Sequence, residues 1–189
     1  PTSHEPMKPG SAGKVVPNTE VKMVDVVSGE AVAEGAEGEL WIRGPSVFAG
    51  YHRRDEETRA AFVDDVSGAP ELRWFKTGDT VTRLSAEGPF KILGRTSVDI
   101  LKSGGYKLSA LEIEETLREH PAVGEVAVIG VADEAWGERV VACVVRRTPD
   151  AACDAAALRG FCREKLAVYK VPKDVVFLDE LPKNALGKV

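Results

Sequence analysis

The sequence predicts an α+β chain of two modules: a small β-rich part folded as a distorted barrel, then a compact α+β part whose mainly three-stranded sheet is flanked by helices. Three observations carry this prediction. Short alternating apolar runs separated by turn residues occupy residues 14–93. Beyond them, helical stripes alternate with nearly continuous apolar runs. The composition shifts between residues 94 and 99, where a domain boundary is expected. With 189 residues, 43% of them hydrophobic, the chain can bury one ordinary core or two small ones.

Residues 1–13 are rich in Pro, Gly, Ser and Thr and read as a loop or trimmed linker, poorly ordered. Val21 and Met23 alternate with Lys22 and Asp25 until Ser28-Gly29 breaks the run, and residues 39–43 alternate again through Leu40 and Ile42, so both read as strands. Residues 55–62 read as a short helix with Asp55 as cap and Glu56 and Glu57 in a first turn that favours acidic groups. Residues 72–75, 80–84 and 90–93 are brief strand candidates, the last two joined by a turn at Glu87-Gly88-Pro89. Ser109 and Glu112 have capping-box spacing and open a helix running to about His120, where Pro121 stops it. Residues 125–131 and 139–146 read as central strands covered on both faces. Asp154 caps a helix whose Leu158, Phe161, Cys162 and Leu166 form one apolar stripe facing the sheet. A last strand covers residues 174–178, and a polar tail follows from residue 181.

Net charge is −5, and no basic block is interleaved with aromatics, which argues against nucleic acid as a partner. The longest apolar runs, 126–131 and 140–145, are far too short to span a bilayer. Cys143, Cys153 and Cys162 lack paired spacing and companion histidines, so packed, reduced thiols are expected rather than a metal site or a disulfide, and with them a reducing compartment such as the cytoplasm or the mitochondrial matrix. His4, His52 and His120 share no spacing suited to a nucleophile system.

Four short stretches carry candidate chemistry. Thr77-Gly78-Asp79 sets a carboxylate after a small-residue turn, where Asp79 can accept from both hydroxyls of a ribose; alone, such a tripeptide also makes ordinary surface turns. Downstream come Gly94-Arg95, Leu101-Lys102-Ser103-Gly104-Gly105-Tyr106-Lys107 and, near the end, Pro182-Lys183-Asn184-Ala185-Leu186-Gly187-Lys188. Together these four ordered motifs resemble the adenylate-forming superfamily: acyl-CoA synthetases, 4-coumarate-CoA ligases, luciferases and peptide-synthetase adenylation domains. The resemblance extends over residues 13–189. Residues 97–114 look most like the malonyl-CoA synthetase branch, and residues 9–25 are also similar to 4-coumarate ligases.

The resemblance implies a domain plan and a set of residue roles. Residues 1–93 correspond to the C-terminal part of the large AMP-binding domain, 94–99 to a hinge and 100–189 to a C-terminal cap domain, so the chain reads as a fragment lacking its N-terminal domain and inactive alone. Asp79 matches a ribose-binding aspartate, and Arg95 an arginine reaching the same hydroxyls. Lys188 matches the catalytic lysine that bridges the substrate carboxylate and the α-phosphate, and Lys102 and Lys107 match positions that approach the adenylate. Ser97, Val98 or Asp99 takes up the hinge torsion; in one orientation Lys188 faces the adenylation site, in the other Gly104 and Gly105 line a thiol tunnel. Trp136 matches a ring that can stack on the CoA adenine, with Tyr169, Lys170 and Lys173 near nucleotide phosphates; an edge-capping indole and solvated lysines are the competing reading. Glu112 and Glu114 are assigned to capping and solvent.

The implied ligands are ATP or AMP, Mg2+, coenzyme A and a small carboxylic acid, with malonate or a similar diacid favoured. A peptide-synthetase module, a luciferase-like enzyme and a non-catalytic nucleotide- or CoA-binding module are the alternatives.

Overall fold

A computed structural model of the chain describes residues 11–64, 72–83, 85, 88–148 and 153–185. It divides into two units, Pro1–Ser97 and Val98–Val189, each with its own sheet.

The first unit contains strands β1 (Ser11–Gly13), β2 (Glu20–Val24) and β3 (Glu37–Arg43), helix α1 (Asp55–Ala61), and strands β4 (Phe62–Val63), β5 (Trp74–Thr82) and β6 (Phe90–Arg95). Their order is β1-β6-β5-β3-β2, with β4 also on β5, and every pairing is antiparallel. The predicted barrel is corrected here: among the described residues β1 and β2 end the sheet on opposite sides and do not pair, so it stays open. The predicted loop at residues 1–13 also changes, because Ser11–Gly13 adds a strand to β6; residues 1–10 lie outside the described residues. Asp55 is not the cap of α1: Arg54 holds that position without a side-chain bond, and Asp55, Glu56 and Glu57 form the first turn. A cage of rings, Phe48, Phe62 and Phe75, ties α1 and β4 to the sheet at centroid distances of 5.0 to 5.5 Å.

The second unit contains strands β7 (Ile100–Ser103) and β8 (Tyr106–Ser109), helix α2 (Ala110–Arg118), strands β9 (Val123–Asp133) and β10 (Gly137–Arg146), helix α3 (Ala155–Lys165), a 3-10 turn at Val168–Lys170 and strand β11 (Asp174–Leu178). Its sheet has five strands, not three, in the order β11-β10-β7-β8 with β9 also paired to β10. The polar Lys102, Ser103 and Lys107 interrupt apolar alternation in β7 and β8, which hid this hairpin. Strand β11 runs parallel to β10, and the other pairs are antiparallel.

Ser109 caps α2 by accepting from Glu112 N–H at 3.1 Å, and Asp154 caps α3 by accepting from Ala157 N–H at 2.8 Å. Ile113 and Leu117 of α2, and Leu158 and Cys162 of α3, are fully buried against Val126, Val128, Val140 and Val144 of the sheet. Strand β9 is not covered throughout, however. Ile129 and Val131 are 46% and 44% exposed, which corrects the prediction of a strand buried on both faces. Glu114 is likewise no solvent residue: it accepts from Val128 N–H at 2.9 Å and pairs with Arg118, joining α2 to β9.

Candidate functional site

The Thr77-Gly78-Asp79 segment lies inside β5 rather than between two strands. Glu39 of β3 faces Thr80 and Trp41 faces Lys76, so three residues of β5 bulge out opposite Leu40 alone. A bulge forfeits ladder hydrogen bonds, and side chains replace them here. Thr77 Oγ1 donates to the Leu40 carbonyl at 2.8 Å and accepts from Asp79 N–H at 3.1 Å. Gly78 N–H donates to the Glu39 carboxylate at 3.1 Å. On the other side, the Gly78 carbonyl accepts from Thr96 N–H at 2.8 Å, and the hydroxyls of Thr80 and Thr96 meet at 2.8 Å.

Glycine is required at position 78. Its φ is +75°, and a Cβ there would stand 3.2 Å from Arg95 Nη1. That close approach reflects the main result of the bulge: Asp79 and Arg95 are register partners on β5 and β6, with Arg95 Nε 3.2 Å from Asp79 Oδ1. Arg95 Nη1 also donates to the Thr77 carbonyl at 2.7 Å, so the guanidinium is held at both ends of the bulge. Asp79 further lines an apolar groove of about 210 Å3 formed by Val15, Val21, Leu40, Phe90 and Ile92. A carboxylate lining an apolar slot and paired with a guanidinium on the next strand suits a ligand with a flat apolar part and vicinal hydroxyls.

In the second unit, Gly104 and Gly105 form the two-residue loop of the β7–β8 hairpin, and their φ values of +59° and +82° fit the turn type that requires positive φ at both positions. Gly104 N–H donates to the Trp136 carbonyl at 2.9 Å, and a Cβ on Gly104 would stand 3.0 Å from the indole. The loop is thereby fastened to the β9–β10 turn. In that turn Asp133 Oδ1 accepts from Ala135 N–H at 2.9 Å and Trp136 N–H at 3.1 Å. The Ala135 bond is the leading reason its carboxyl titrates below the usual range; burial opposes this, and the Trp136 bond and Arg139 reinforce it.

Around this junction lie the other predicted residues of the unit. Lys173 Nζ sits 3.9 Å from the Trp136 ring centroid, and Trp136 is 42% exposed. Tyr169 stacks on Tyr106 at 4.5 Å with planes 15° apart. Lys170 is engaged with Glu112 at 2.5 Å, which gives Glu112 a tertiary role beyond its place in the cap. Lys102 faces Lys107 across the hairpin, and its N–H donates to the Glu138 carboxylate. Lys188 lies outside the described residues.

Sequence reasoning missed Glu39 and Tyr106, and of Glu138 it gave only the place, in the Trp136-Gly137-Glu138 turn motif. Tyr106 directly follows the glycine pair, so its position was a usable signal. Nothing local marked Glu39, whose Gly78 partner is 39 residues away, and the turn motif did not disclose the bond from Lys102 N–H to Glu138, 36 residues away.

The geometry agrees with comparisons to known proteins. Residues 112–188 match the family model described as AMP-binding enzyme C-terminal domain, and residues 1–52 match the one described as AMP-binding enzyme. A mitochondrial malonate-CoA ligase of Bos taurus is 43% identical over 96% of this chain and 32% of its own length. A malonate-CoA ligase of Arabidopsis thaliana is 40% identical over 95% of this chain and 29% of its own. Among solved structures, ATP-bound MatB from Rhodopseudomonas palustris superposes with a TM-score of 0.80 at 36% identity, over 96% of this chain and 34% of that one. An O-succinylbenzoate coenzyme A synthetase from Bacillus subtilis in complex with AMP gives 0.80 at 35%, with the same coverage. The chain thus spans about a third of the length of the relatives it matches.

Proposed function

The chain belongs to the adenylate-forming superfamily of AMP-binding enzymes, and from that premise we propose that it is the C-terminal part of an ATP-dependent acid-CoA ligase acting on a small diacid such as malonate. Asp79, lining an apolar groove while paired with Arg95, is the observation that carries this reading.

In the proposed first step a carboxylate oxygen of the acid attacks the α-phosphorus of ATP. The bond to the bridging oxygen breaks, and acyl-AMP and pyrophosphate form. Asp79 accepts from the ribose hydroxyls, for which a carboxylate already paired once retains acceptor capacity, and Arg95 donates to the same hydroxyls. Lys188 brings an ammonium to the α-phosphate oxygens as negative charge gathers there. Mg2+ enters with ATP as part of the substrate. In the second step the CoA thiolate attacks the acyl carbonyl and AMP leaves.

Between the steps the second unit reorients about residues 94–99, exchanging Lys188 for the Gly104-Gly105 hairpin at one active site. The Trp136 ring with Lys173 above it, and the neighbouring Tyr106–Tyr169 stack, suit the adenine and phosphates of CoA. Residues preceding this chain supply the rest of the site and cover the apolar groove, where Val16 and Ile92 are 61% and 46% exposed. A mitochondrial location accords with the name of the bovine relative.

The test is pyrophosphate release by the whole enzyme containing this chain, assayed with a panel of carboxylic acids. Malonate-dependent release followed by CoA consumption supports the reading. Release with an amino acid and transfer only to a carrier protein, or no release with any acid, overturns it.

A further inference from the structure

We propose that Glu39 is a positioning residue for nucleotide binding, its carboxylate holding the bulge that turns Asp79 toward Arg95. The inference rests on the reading of Asp79 as the ribose acceptor and extends it to a residue on a different strand.

Glu39 uses both carboxylate oxygens. Oε1 accepts from Gly78 N–H at 3.1 Å, and Oε2 accepts from the Trp41 indole N–H at 2.8 Å. Glu39 and Trp41 are two apart on β3 and so project to the same face, and the Trp41 ring carries Lys22 Nζ 4.7 Å from its centroid. The indole thus fixes the carboxylate, which fixes the central amide of the bulge. Because Gly78 sits at positive φ with no side chain of its own, that amide is its handle on β3. Its carbonyl is held from beyond β6 by Thr96 N–H. Released from Glu39, the Gly78 amide loses its own tie to β3, and the bulge is left there with only the Thr77 hydroxyl between the Leu40 carbonyl and Asp79 N–H, which loosens the aim of Asp79 at Arg95.

The donor arrangement makes the idea separable from ordinary packing. Both partners of Glu39 are N–H donors, so the site needs two acceptor oxygens, and glutamine offers one oxygen and one NH2 group. In Glu39→Gln the NH2 must confront either Gly78 or Trp41. Removing the indole N–H by Trp41→Phe eliminates that conflict and lets the carbonyl of the introduced amide return to Gly78.

The experiment measures AMP affinity calorimetrically in the whole enzyme for Glu39→Gln, Trp41→Phe, the double variant and Asp79→Ala, with the Michaelis constants for ATP and for the acid determined alongside. Glu39→Gln is expected to weaken AMP binding and raise the ATP constant by about tenfold, as for the loss of one hydrogen bond to a charged group, with the acid constant unchanged. The double variant should return to within about threefold of Trp41→Phe alone, the margin expected of an intact pair in a mutant cycle. Unchanged AMP affinity in Glu39→Gln, or a double variant no better than Glu39→Gln, overturns the proposal, as does a loss shared equally by ATP and acid. If Asp79→Ala also leaves AMP affinity unchanged, the ribose reading itself has failed. If Asp79→Ala weakens it while Glu39→Gln does not, only the role of Glu39 has failed.

Discussion

Asp79 and Arg95 face each other across adjacent strands, with Nε 3.2 Å from Oδ1, although sixteen residues and a turn separate them in the chain. Their side chains are 31% and 59% exposed, so the pair itself adds on the order of 0–1 kcal/mol to stability. Asp79→Ala should therefore leave the thermal midpoint nearly unchanged. In the whole enzyme it should raise the dissociation constant for AMP by about 10- to 100-fold, the scale of hydrogen bonds to a charged group. Calorimetry on the whole enzyme checks the second expectation, and a fluorescence melt the first.

Gly104 is predicted to be sensitive for two reasons, a φ of +59° and the indole 3.0 Å from where a Cβ would sit. Gly104→Ala should cost about 1–2 kcal/mol from the left-handed backbone alone. Within the proposed mechanism it should slow acyl transfer from supplied acyl-AMP to CoA more than it slows pyrophosphate release. Equal slowing of the two half-reactions would contradict the assignment of this hairpin to the thiol step.

Much of this architecture is legible in the residue pattern alone. The caps at Ser109 and Asp154 and the stripe through Leu158 and Cys162 are local patterns, and each marks its helix within a few residues. The β5 bulge is not local. Residues 72–75 and 80–84 read as two strands because the small residues between them break alternation, and only Glu39, Leu40 and Arg95, supplied by neighbouring strands, make Trp74–Thr82 continuous. The β7–β8 hairpin was hidden similarly, since lysines on both strands masked a pairing that the glycine loop creates. For the site, motif position alone marks Asp79, Arg95, Trp136 and Lys173, and Glu138 belongs to the same turn motif as Trp136; what no motif reveals is Glu39 and the reach of both carboxylates to backbone amides far away in sequence.

The second unit depends on a single apolar layer between its sheet and α2 and α3. Leu158→Ala, at a fully buried position, should destabilise that unit by about 2–5 kcal/mol in denaturant titration. The same truncation at Ile129, which is 46% exposed, should cost far less.

Asp133 provides a test in pH. Its carboxyl is held below the ordinary aspartate range chiefly by the Ala135 N–H, with Trp136 N–H and Arg139 also lowering it against the opposing effect of burial. A group depressed in the folded state contributes stability that is fully present above the unfolded value of about 3.9 and is lost as pH falls through the lower folded value. A carbon NMR titration of the Asp133 carboxyl should give a midpoint below that value, and Asp133→Asn should abolish the matching displacement of the Trp136 indole signals. A midpoint at or above it would contradict the hydrogen-bonding assigned to this turn.

The proposed division of labour is tested most directly by separating the two half-reactions in the whole enzyme carrying Lys188→Ala. Acid-dependent pyrophosphate release is expected to fall by about 100- to 1000-fold, the range for loss of one preorganised donor, while conversion of supplied acyl-AMP and CoA continues at nearly the original rate. Undiminished pyrophosphate release, or equal loss of both reactions, would contradict it.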